Sequence, residues 1–276
     1  MKPVVHIDSS NAFRLKEYRT SMMAPGLRET DASRVAAFFD IDGTLLPLPS
    51  LERRFVSELR SERLIPAGNY LRWLAAAARL APRGVLHSIH SNKAHLRNVP
   101  VRVLSFRQLT FFPDAVRRVA WHASQGHSVI LVSGTLDFLA RQAALALTLR
   151  LAMRGVTAKI GVCATQARRV DGRYTGEIIG VANFAEEKVI TIRGVARENG
   201  LNLTRCYGYS DSAHDRWMLG AVGKPAAVNP SPELRRIAML RHWPIFDWSI
   251  GESSETKAPS EFDTTFSHGI PSENVQ

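Results

Sequence analysis

A short apolar run that ends in two closely spaced acids is the feature that most constrains the fold of this chain. Residues 35–39 read Val-Ala-Ala-Phe-Phe, and Asp40 and Asp42 follow directly. A continuous apolar run of this length predicts a strand buried on both faces, as in a parallel sheet covered by helices. In such sheets functional groups collect at the carboxyl ends of the strands. Because neighbouring carboxylates repel each other, this pair indicates a bound cation, a shared proton or both.

Two later segments repeat the arrangement of an apolar run with polar residues at its end. Residues 129–132 form a second apolar run, and Ser133 and Gly134 follow it. A third run begins at Cys206 and leads to Asp211. If these runs are parallel strands of one sheet, their carboxyl ends lie at the same edge. The sequence therefore predicts that both polar ends lie close to the first pair of acids.

Lys188 and Asp215 complete the set of candidate site residues. Lys188 stands inside a helical pattern over residues 183–192, and Asp215 follows Asp211 by four positions. Asp215 has two readings, since it either supports a metal ion or caps the helix that begins near Arg216. A lone lysine in a helix predicts nothing, so Lys188 gains its meaning only from the other motifs.

The residue types together are suited to phosphoryl transfer. A carboxylate can attack phosphorus and form an aspartyl-phosphate, while a second acid protonates the leaving oxygen. Mg²⁺ prefers oxygen ligands and commonly takes one or two carboxylates with a substrate phosphate. A lysine and a serine hydroxyl can hold the remaining phosphate oxygens. These groups also leave open a plain metal site or an acid/base pair.

The order of the motifs resembles that of the haloacid-dehalogenase-like (HAD) superfamily. The resemblance is to its subfamily IB, which contains the phosphoserine-phosphatase-like hydrolases. It rests on Asp40-Ile-Asp-Gly-Thr44, on Ser133-Gly-Thr, on Lys188 and on the pair Asp211 and Asp215. The four motifs span residues 38–215, and the wider pattern, which includes residues 171–176 and 227–230, extends the resemblance to about residue 246.

The resemblance implies a role for each acid. Asp40 is then the nucleophile and Asp42 the general acid and base. Mg²⁺ is held by the carboxylates of Asp40 and Asp211 together with the backbone oxygen of Asp42. Asp215 supports the metal site, and Thr44 supports the first loop. Dehalogenases of this superfamily lack the second aspartate and P-type ATPases carry a different loop, so the sequence favours neither.

The resemblance also implies phosphate ligands and a fold. Ser133, Gly134 and Lys188 are expected to bind the substrate phosphate. The expected fold is α/β, a Rossmann-like, doubly wound and mainly parallel sheet with an inserted all-helical cap domain. The predicted divisions are a flexible segment (1–33), a catalytic core (34–50 and 111–250), a helical cap (51–110) and a disordered tail (251–276).

The charge of the chain is concentrated in the predicted cap. The net charge is +11, and residues 51–110 carry ten arginines and one lysine against three glutamates, a net of +8. Such a segment can steer an anionic substrate toward the site, and Arg53 and Arg54 are the first candidates for contact. An alternative is a basic binding module for anionic lipid or nucleic acid with a vestigial site. The full set of catalytic residue types favours the enzyme, with no nucleic acid expected.

The expected substrate is a small phosphorylated metabolite, since a helical cap over the site excludes large molecules. Phosphoserine is doubtful, because the position nine residues after the predicted nucleophile is Pro49 and the nearest acid is Glu52. A phosphotransferase that uses an alcohol acceptor is an alternative. Two interpretations of His214 have equal weight, namely a side chain that contacts phosphate and an ordinary, partly exposed histidine. Three cap histidines have a spacing that does not favour a zinc site: His87, His90 and His95.

Location in the cell is predicted from two features. The first residues contain no apolar stretch typical of a secretion signal, and no long uncharged apolar segment predicts a membrane span. Cys163 and Cys206 both fall in predicted strands, which indicates buried thiols rather than a disulfide. A cytoplasmic protein is the expectation.

Overall fold

A single seven-stranded sheet organises the protein. The computed structural model describes residues 35–83, 90–101 and 109–251. Within these residues the spatial order of the strands is β4-β3-β2-β1-β5-β6-β7. The strands are β1 (Ala36–Phe39), β2 (Ser128–Leu136), β3 (Ile160–Val170), β4 (Arg173–Ile179), β5 (Tyr207–Ser210), β6 (Lys224–Val228) and β7 (Ile245–Phe246). All neighbours pair in parallel except β3 and β4, which form an antiparallel hairpin, as the Asp171-Gly172 turn sequence between them predicts.

Helices cover both faces of the sheet. The described helices are α1 (Leu51–Ser61), α2 (Gly68–Leu80), α3 (Pro113–Ser124), α4 (Asp137–Ala152), α5 (Glu186–Asn199), α6 (Arg216–Gly220) and α7 (Pro232–Leu240). Apolar residues of α3 and α4 join one core cluster, and those of α5, α6 and α7 join the other. The predicted doubly wound, mainly parallel α/β fold is therefore confirmed.

Strand β1 shows why the first apolar run has no polar interruption. Ala37 and Phe39 lie in one core cluster, whereas Ala36 and Phe38 lie in the other. All four side chains have no exposed surface. Since successive side chains of a strand point to opposite faces, a strand between two helical layers must be apolar at every position.

The register of the central strands brings three strand ends to one edge. Phe39 of β1 is aligned with Leu131 of β2 on one side and with Tyr209 of β5 on the other. The residues that follow these positions therefore emerge together at the carboxyl edge of the sheet. Strand β2 is longer than predicted, since it continues through Ser133 to Leu136, and α4 accordingly begins at Asp137.

The segment between β1 and α3 contains α1 and α2, together with a 3-10 turn at Ala94–Leu96. The segment 51–110 is predicted to be helical with a break at Pro100, and the helical pattern ends slightly earlier, because Asn98 lies in a turn with a φ angle of +60° and Pro100 pairs with Arg173 of β4. The Asn98 N–H donates to the Tyr174 carbonyl at 2.8 Å, and the Tyr174 N–H donates to the Val99 carbonyl at 2.9 Å. Pro100 follows directly and cannot continue a helix, because it has no N–H group.

Several predictions concern residues outside the described ranges, namely those for 1–33, for 252–276 and for His87. The predicted division between core and cap stays a prediction. Cys163 and Cys206 are buried free thiols, as their strand positions indicated. No helix of the described ranges is long and apolar enough to cross a bilayer.

Candidate active site

A buried cluster of charged side chains lies at the carboxyl edge of the sheet. The Nζ atom of Lys188 is 2.5 Å from Oδ1 of Asp40 and 2.6 Å from Oδ2 of Asp215. Asp40 directly follows β1, and its N–H extends the pairing with β5 by donating to the Tyr209 carbonyl at 2.9 Å. Residues from three distant parts of the sequence therefore meet at one ammonium group.

Asp215 points into this cluster and does not cap a helix. It occupies the position before α6, yet its side chain makes no capping hydrogen bond there. Its carboxylate is 2% exposed and accepts hydrogen bonds from Lys188 at 2.6 Å and from the hydroxyl of Ser210 at 2.6 Å. Ser210 is a site residue that the sequence analysis missed. Its only signal was a small hydroxyl residue at the end of an apolar strand.

Gly43 leaves the space that the Asp211 carboxylate occupies. The φ angle of Gly43 is +86°, and a Cβ atom at this position would lie 2.1 Å from Oδ2 of Asp211. The hydroxyl of Thr44 faces the other oxygen of Asp211, Oδ1, at 3.5 Å. The backbone carbonyl of Asp211 accepts from the Ser231 N–H at 2.8 Å, which fixes the loop after β5. The first loop and the loop after β5 are thus in direct contact.

Asp42 is connected to the start of α1. Its Oδ1 atom accepts a hydrogen bond of 2.7 Å from the N–H of Leu51, the first residue of that helix. Burial raises the pKa of Asp42 to about 6, and the hydrogen bond from Leu51 opposes this shift. A carboxyl group with such a pKa exchanges a proton near neutral pH, which suits an acid and base.

The pKa values of Asp40 and Asp211 are also raised above their ordinary range. Burial, aided by Asp215 and Asp211 and opposed by Lys188, raises the pKa of Asp40 well above its usual range. Burial and the charge of Asp215 raise the pKa of Asp211 to about 7. Lys188 stays charged, since Asp215 and Asp40 raise its pKa although burial favours the neutral amine.

Ser133 and Gly134 lie on the neighbouring strand end and are held by side chains behind them. The Thr135 N–H donates to Oγ of Ser133 at 3.2 Å. The side-chain amide of Asn183 donates to the Ser133 carbonyl at 3.3 Å, and the hydroxyl of Thr165 donates to the Gly134 carbonyl at 2.8 Å. Asn183 and Thr165 were missed by the sequence analysis, because neither belongs to a recognisable motif.

Comparisons with known proteins identify the family. The family model described as haloacid dehalogenase-like hydrolase matches residues 37–220. The chain belongs to the haloacid dehalogenase-like hydrolase family. This membership confirms the predicted family and, with it, the predicted enzyme class of HAD-type phosphatase.

Relatives of this hydrolase extend over most of its length. A probable phosphatase of Mycobacterium tuberculosis H37Rv is 30% identical over 246 residues, which cover 83% of this chain and 80% of the relative. A protein of the same organism named phosphoserine phosphatase is 30% identical over 236 residues, or 79% of this chain and 72% of the relative. A solved structure from Bordetella pertussis Tohama I, of unknown function, is 31% identical with a TM-score of 0.58, covering 78% of this chain and 98% of its own.

The oxygen ligands of this HAD hydrolase fit Mg²⁺. The described residues place four aspartates at the site (Asp40, Asp42, Asp211 and Asp215), while Lys188 is bonded to two of them. No three His, Cys, Asp or Glu side chains of the described ranges form a metal-binding group by themselves. Mg²⁺ does not need three, since it commonly takes one or two carboxylates and completes its shell with water and phosphate. Two repelling carboxylates with raised pKa values are the arrangement that such a cation relieves.

In this hydrolase His90, from the segment between β1 and α3, lies against Gly134 of β2. A Cβ atom on Gly134 would lie 3.5 Å from Nδ1 of His90. The His90 ring stacks on Phe184 with ring centroids 3.6 Å apart, and His214 lies on the same aromatic cluster, 5.1 Å from Phe184. Burial, with the charges of Lys93 and Lys188, lowers the pKa of His90 to about 4. His90 is therefore a neutral side chain beside the predicted phosphate position.

The two arginines that follow the first loop have different environments. The Arg54 guanidinium donates to the Pro49 carbonyl at 2.7 Å and to the Pro47 carbonyl, so it binds the backbone of its own loop. Arg53 is exposed on α1. Arg54 thus positions the loop after Asp42, and the expectation of direct substrate contact is weaker for it than for Arg53.

Proposed function

We propose that this HAD phosphatase is a Mg²⁺-dependent phosphomonoesterase that hydrolyses a small phosphorylated metabolite through an aspartyl-phosphate on Asp40. The observation that carries the proposal is the placement of Asp40. Asp40 is 6% exposed, its carboxylate is bonded to Lys188, and it lies two residues from an acid with a pKa of about 6. A nucleophile, an acid and a phosphate-binding cation are thus within one small region.

The first half of the reaction forms the intermediate. The Asp40 carboxylate attacks phosphorus, and the bond between phosphorus and the ester oxygen breaks. Asp42 gives its proton to that oxygen, so that a neutral alcohol leaves. Lys188, Ser133 and the Gly134 backbone are proposed to hold the phosphate oxygens while negative charge develops on them.

The second half regenerates the enzyme. Asp42, now ionised, takes a proton from a water molecule, whose oxygen attacks phosphorus of the aspartyl-phosphate. The bond between Asp40 and phosphorus breaks, inorganic phosphate leaves and both carboxyl groups return to their starting states. The raised pKa of Asp42 supports this double role, because a group with a pKa near the working pH both gives and takes a proton.

Mg²⁺ is proposed to be held by the carboxylates of Asp40 and Asp211 and the backbone oxygen of Asp42. When bound, the ion supplies positive charge that lowers the repulsion between nucleophile and phosphate. Thr44 and Gly43 hold Asp211 in place for this role, and Asp215 orients Lys188. A cytoplasmic location remains part of the proposal, and the two free thiols agree with it.

Hydrolysis of an aryl phosphate by the purified protein tests the proposal. Asp40→Asn is expected to abolish turnover while the protein stays folded, and Asp247→Asn, which alters an exposed ion pair with Arg235, is expected to leave it intact. Removal of Mg²⁺ by a chelator is expected to stop the reaction reversibly. Full activity of Asp40→Asn would refute the mechanism. Added glycerol separates the alternative, since a phosphotransferase forms glycerol phosphate in place of inorganic phosphate.

A further inference from the structure

A buried ion pair in the segment between β1 and α3 lies beside the site. The ammonium group of Lys93 contacts Oε1 of Glu52, and the two side chains are 2% and 20% exposed. Glu52 follows Leu51, whose N–H is bonded to Oδ1 of Asp42 at 2.7 Å. The pair therefore begins one residue away from the group that binds the acid proposed to protonate the leaving alcohol.

Lys93 belongs to the same short stretch of chain as His90, which lies beside the predicted phosphate ligand Gly134. Lys93 follows His90 by three residues, and His90 lies against Gly134 and Phe184. The Asn92 side chain fixes the segment by donating to the Trp73 carbonyl of α2 at 2.8 Å. The segment that holds the ion pair thus touches the site at two points, at Asp42 through Leu51 and at Gly134 through His90. In the proposed function the phosphorus faces Asp40 and the leaving oxygen faces Asp42, which places the alcohol part of the ester on the side of this segment.

Glu52 provides the counter-charge that the buried Lys93 requires. A buried ammonium without a counter-charge is strongly disfavoured, and removing one partner of a buried pair is far more damaging than losing an exposed pair. A substrate ammonium that bound Glu52 would have to displace Lys93 and leave it buried without that partner.

We propose that the Glu52–Lys93 pair makes this enzyme selective for phosphate esters whose alcohol carries no ammonium group near the phosphate. The inference rests on the proposed phosphatase function and names a substrate class for that site. Glu52 and Lys93 act through the charge that they present to the alcohol, so they are specificity-determining residues with no part in bond breaking.

Two esters of nearly equal shape test the inference. Phosphoethanolamine and propyl phosphate differ by an ammonium in place of a methyl group. Each is measured as a competitor of p-nitrophenyl phosphate hydrolysis at pH 7 with Mg²⁺. The quantity compared among variants is the inhibition constant of phosphoethanolamine divided by that of propyl phosphate. Wild-type protein is expected to bind propyl phosphate at least about tenfold more tightly, the size of effect that a single charge-assisted contact produces.

Lys93→Met leaves the Glu52 carboxylate free and is expected to lower that ratio at least about tenfold. Lys93→Arg keeps the cation and is expected to keep the wild-type ratio. Glu52→Gln is expected to raise the ratio, because Lys93 then faces the ligand without its counter-charge. This opposite shift decides the question should Lys93→Met fail to fold, as judged by circular dichroism.

Three results would overturn the inference. These are wild-type protein that binds phosphoethanolamine as tightly as propyl phosphate, wild-type protein that binds neither ester, and folded Lys93→Met or Glu52→Gln with an unchanged ratio. Failure of the proposed function looks different, because wild-type protein would then not hydrolyse p-nitrophenyl phosphate at all.

Discussion

Replacement of Gly43 by alanine is expected to damage the site far more than the fold. Two separate costs arise at this position. The backbone has a φ angle of +86°, which an L-residue with a Cβ atom adopts only with strain. The new Cβ atom also lies 2.1 Å from Oδ2 of Asp211, far inside an ordinary contact.

The size of each effect follows from these values. Backbone strain of this kind costs about 1–2 kcal/mol of folding free energy. To reach an ordinary contact of 3.4 Å from 2.1 Å, the Asp211 carboxylate must retreat by about 1.3 Å. A displacement of about 1 Å at a reacting centre costs on the order of 100-fold in rate. Because Asp211 is a proposed Mg²⁺ ligand, Gly43→Ala is also expected to need more Mg²⁺ for half-maximal activity.

Gly155→Ala is a matched control. Its φ angle is +73°, and no atom lies within 4 Å of its added Cβ atom. Both variants are therefore expected to lower the melting temperature by a few degrees, at roughly 2–4 °C for each kcal/mol. Only Gly43→Ala is expected to lose about 100-fold in kcat/KM for an aryl phosphate. The reasoning fails if the two variants have similar activities.

Three further changes probe the charges inside the protein. Lys188→Met is expected to abolish turnover and to lower the free energy of unfolding by about 3 kcal/mol in urea, because Asp40 and Asp215 lose their buried counter-charge; an unchanged urea midpoint would contradict this. Ser210→Ala removes the 2.6 Å hydrogen bond to Asp215 and is expected to cost about 1–2 kcal/mol and to lower kcat more than it changes KM; steady-state kinetics with wild-type values would refute it. Burial lowers the pKa of His122 well below 6.5, so below this pH the unfolded chain binds a proton that the folded chain does not, and stability falls as pH decreases. His122→Gln is expected to flatten this decline by up to about 1.4 kcal/mol per pH unit, and identical acid limbs in the two unfolding series would show the reasoning to be wrong.

The strands that build the site could be located from sequence because they are buried on both faces. Such strands are continuous apolar runs, and the polar residues at their ends are conspicuous for that reason. Asp40, Ser133 and Asp211 could therefore be assigned to one edge of a sheet before any contact was known. The hairpin was equally predictable, because the pair Asp171-Gly172 favours the positive φ angles that a tight turn requires. In the structure these angles are +47° and +70°.

Contacts between side chains that are far apart in sequence could not be predicted in this way. Ser210 binds Asp215 inside the site, yet nothing in its sequence neighbourhood distinguishes it from other serines at strand ends. The short segment after Asn98 depends on pairing with β4, a partner about 75 residues away in sequence. A helical pattern before Pro100 carries no trace of that partner.

The positive charge of residues 51–110 is another property whose role depends on contacts that the sequence does not predict. These contacts decide how an anionic substrate is attracted. Counted along the sequence, the segment has a net charge of +8 and predicts a strong field over the site. In the folded protein its one lysine, Lys93, is buried against Glu52, and Arg54 is bonded to the carbonyls of Pro47 and Pro49. Both cations therefore hold the segment together. Long-range attraction of an anion must come from exposed arginines such as Arg53, and it is this part of the binding that added salt is expected to weaken.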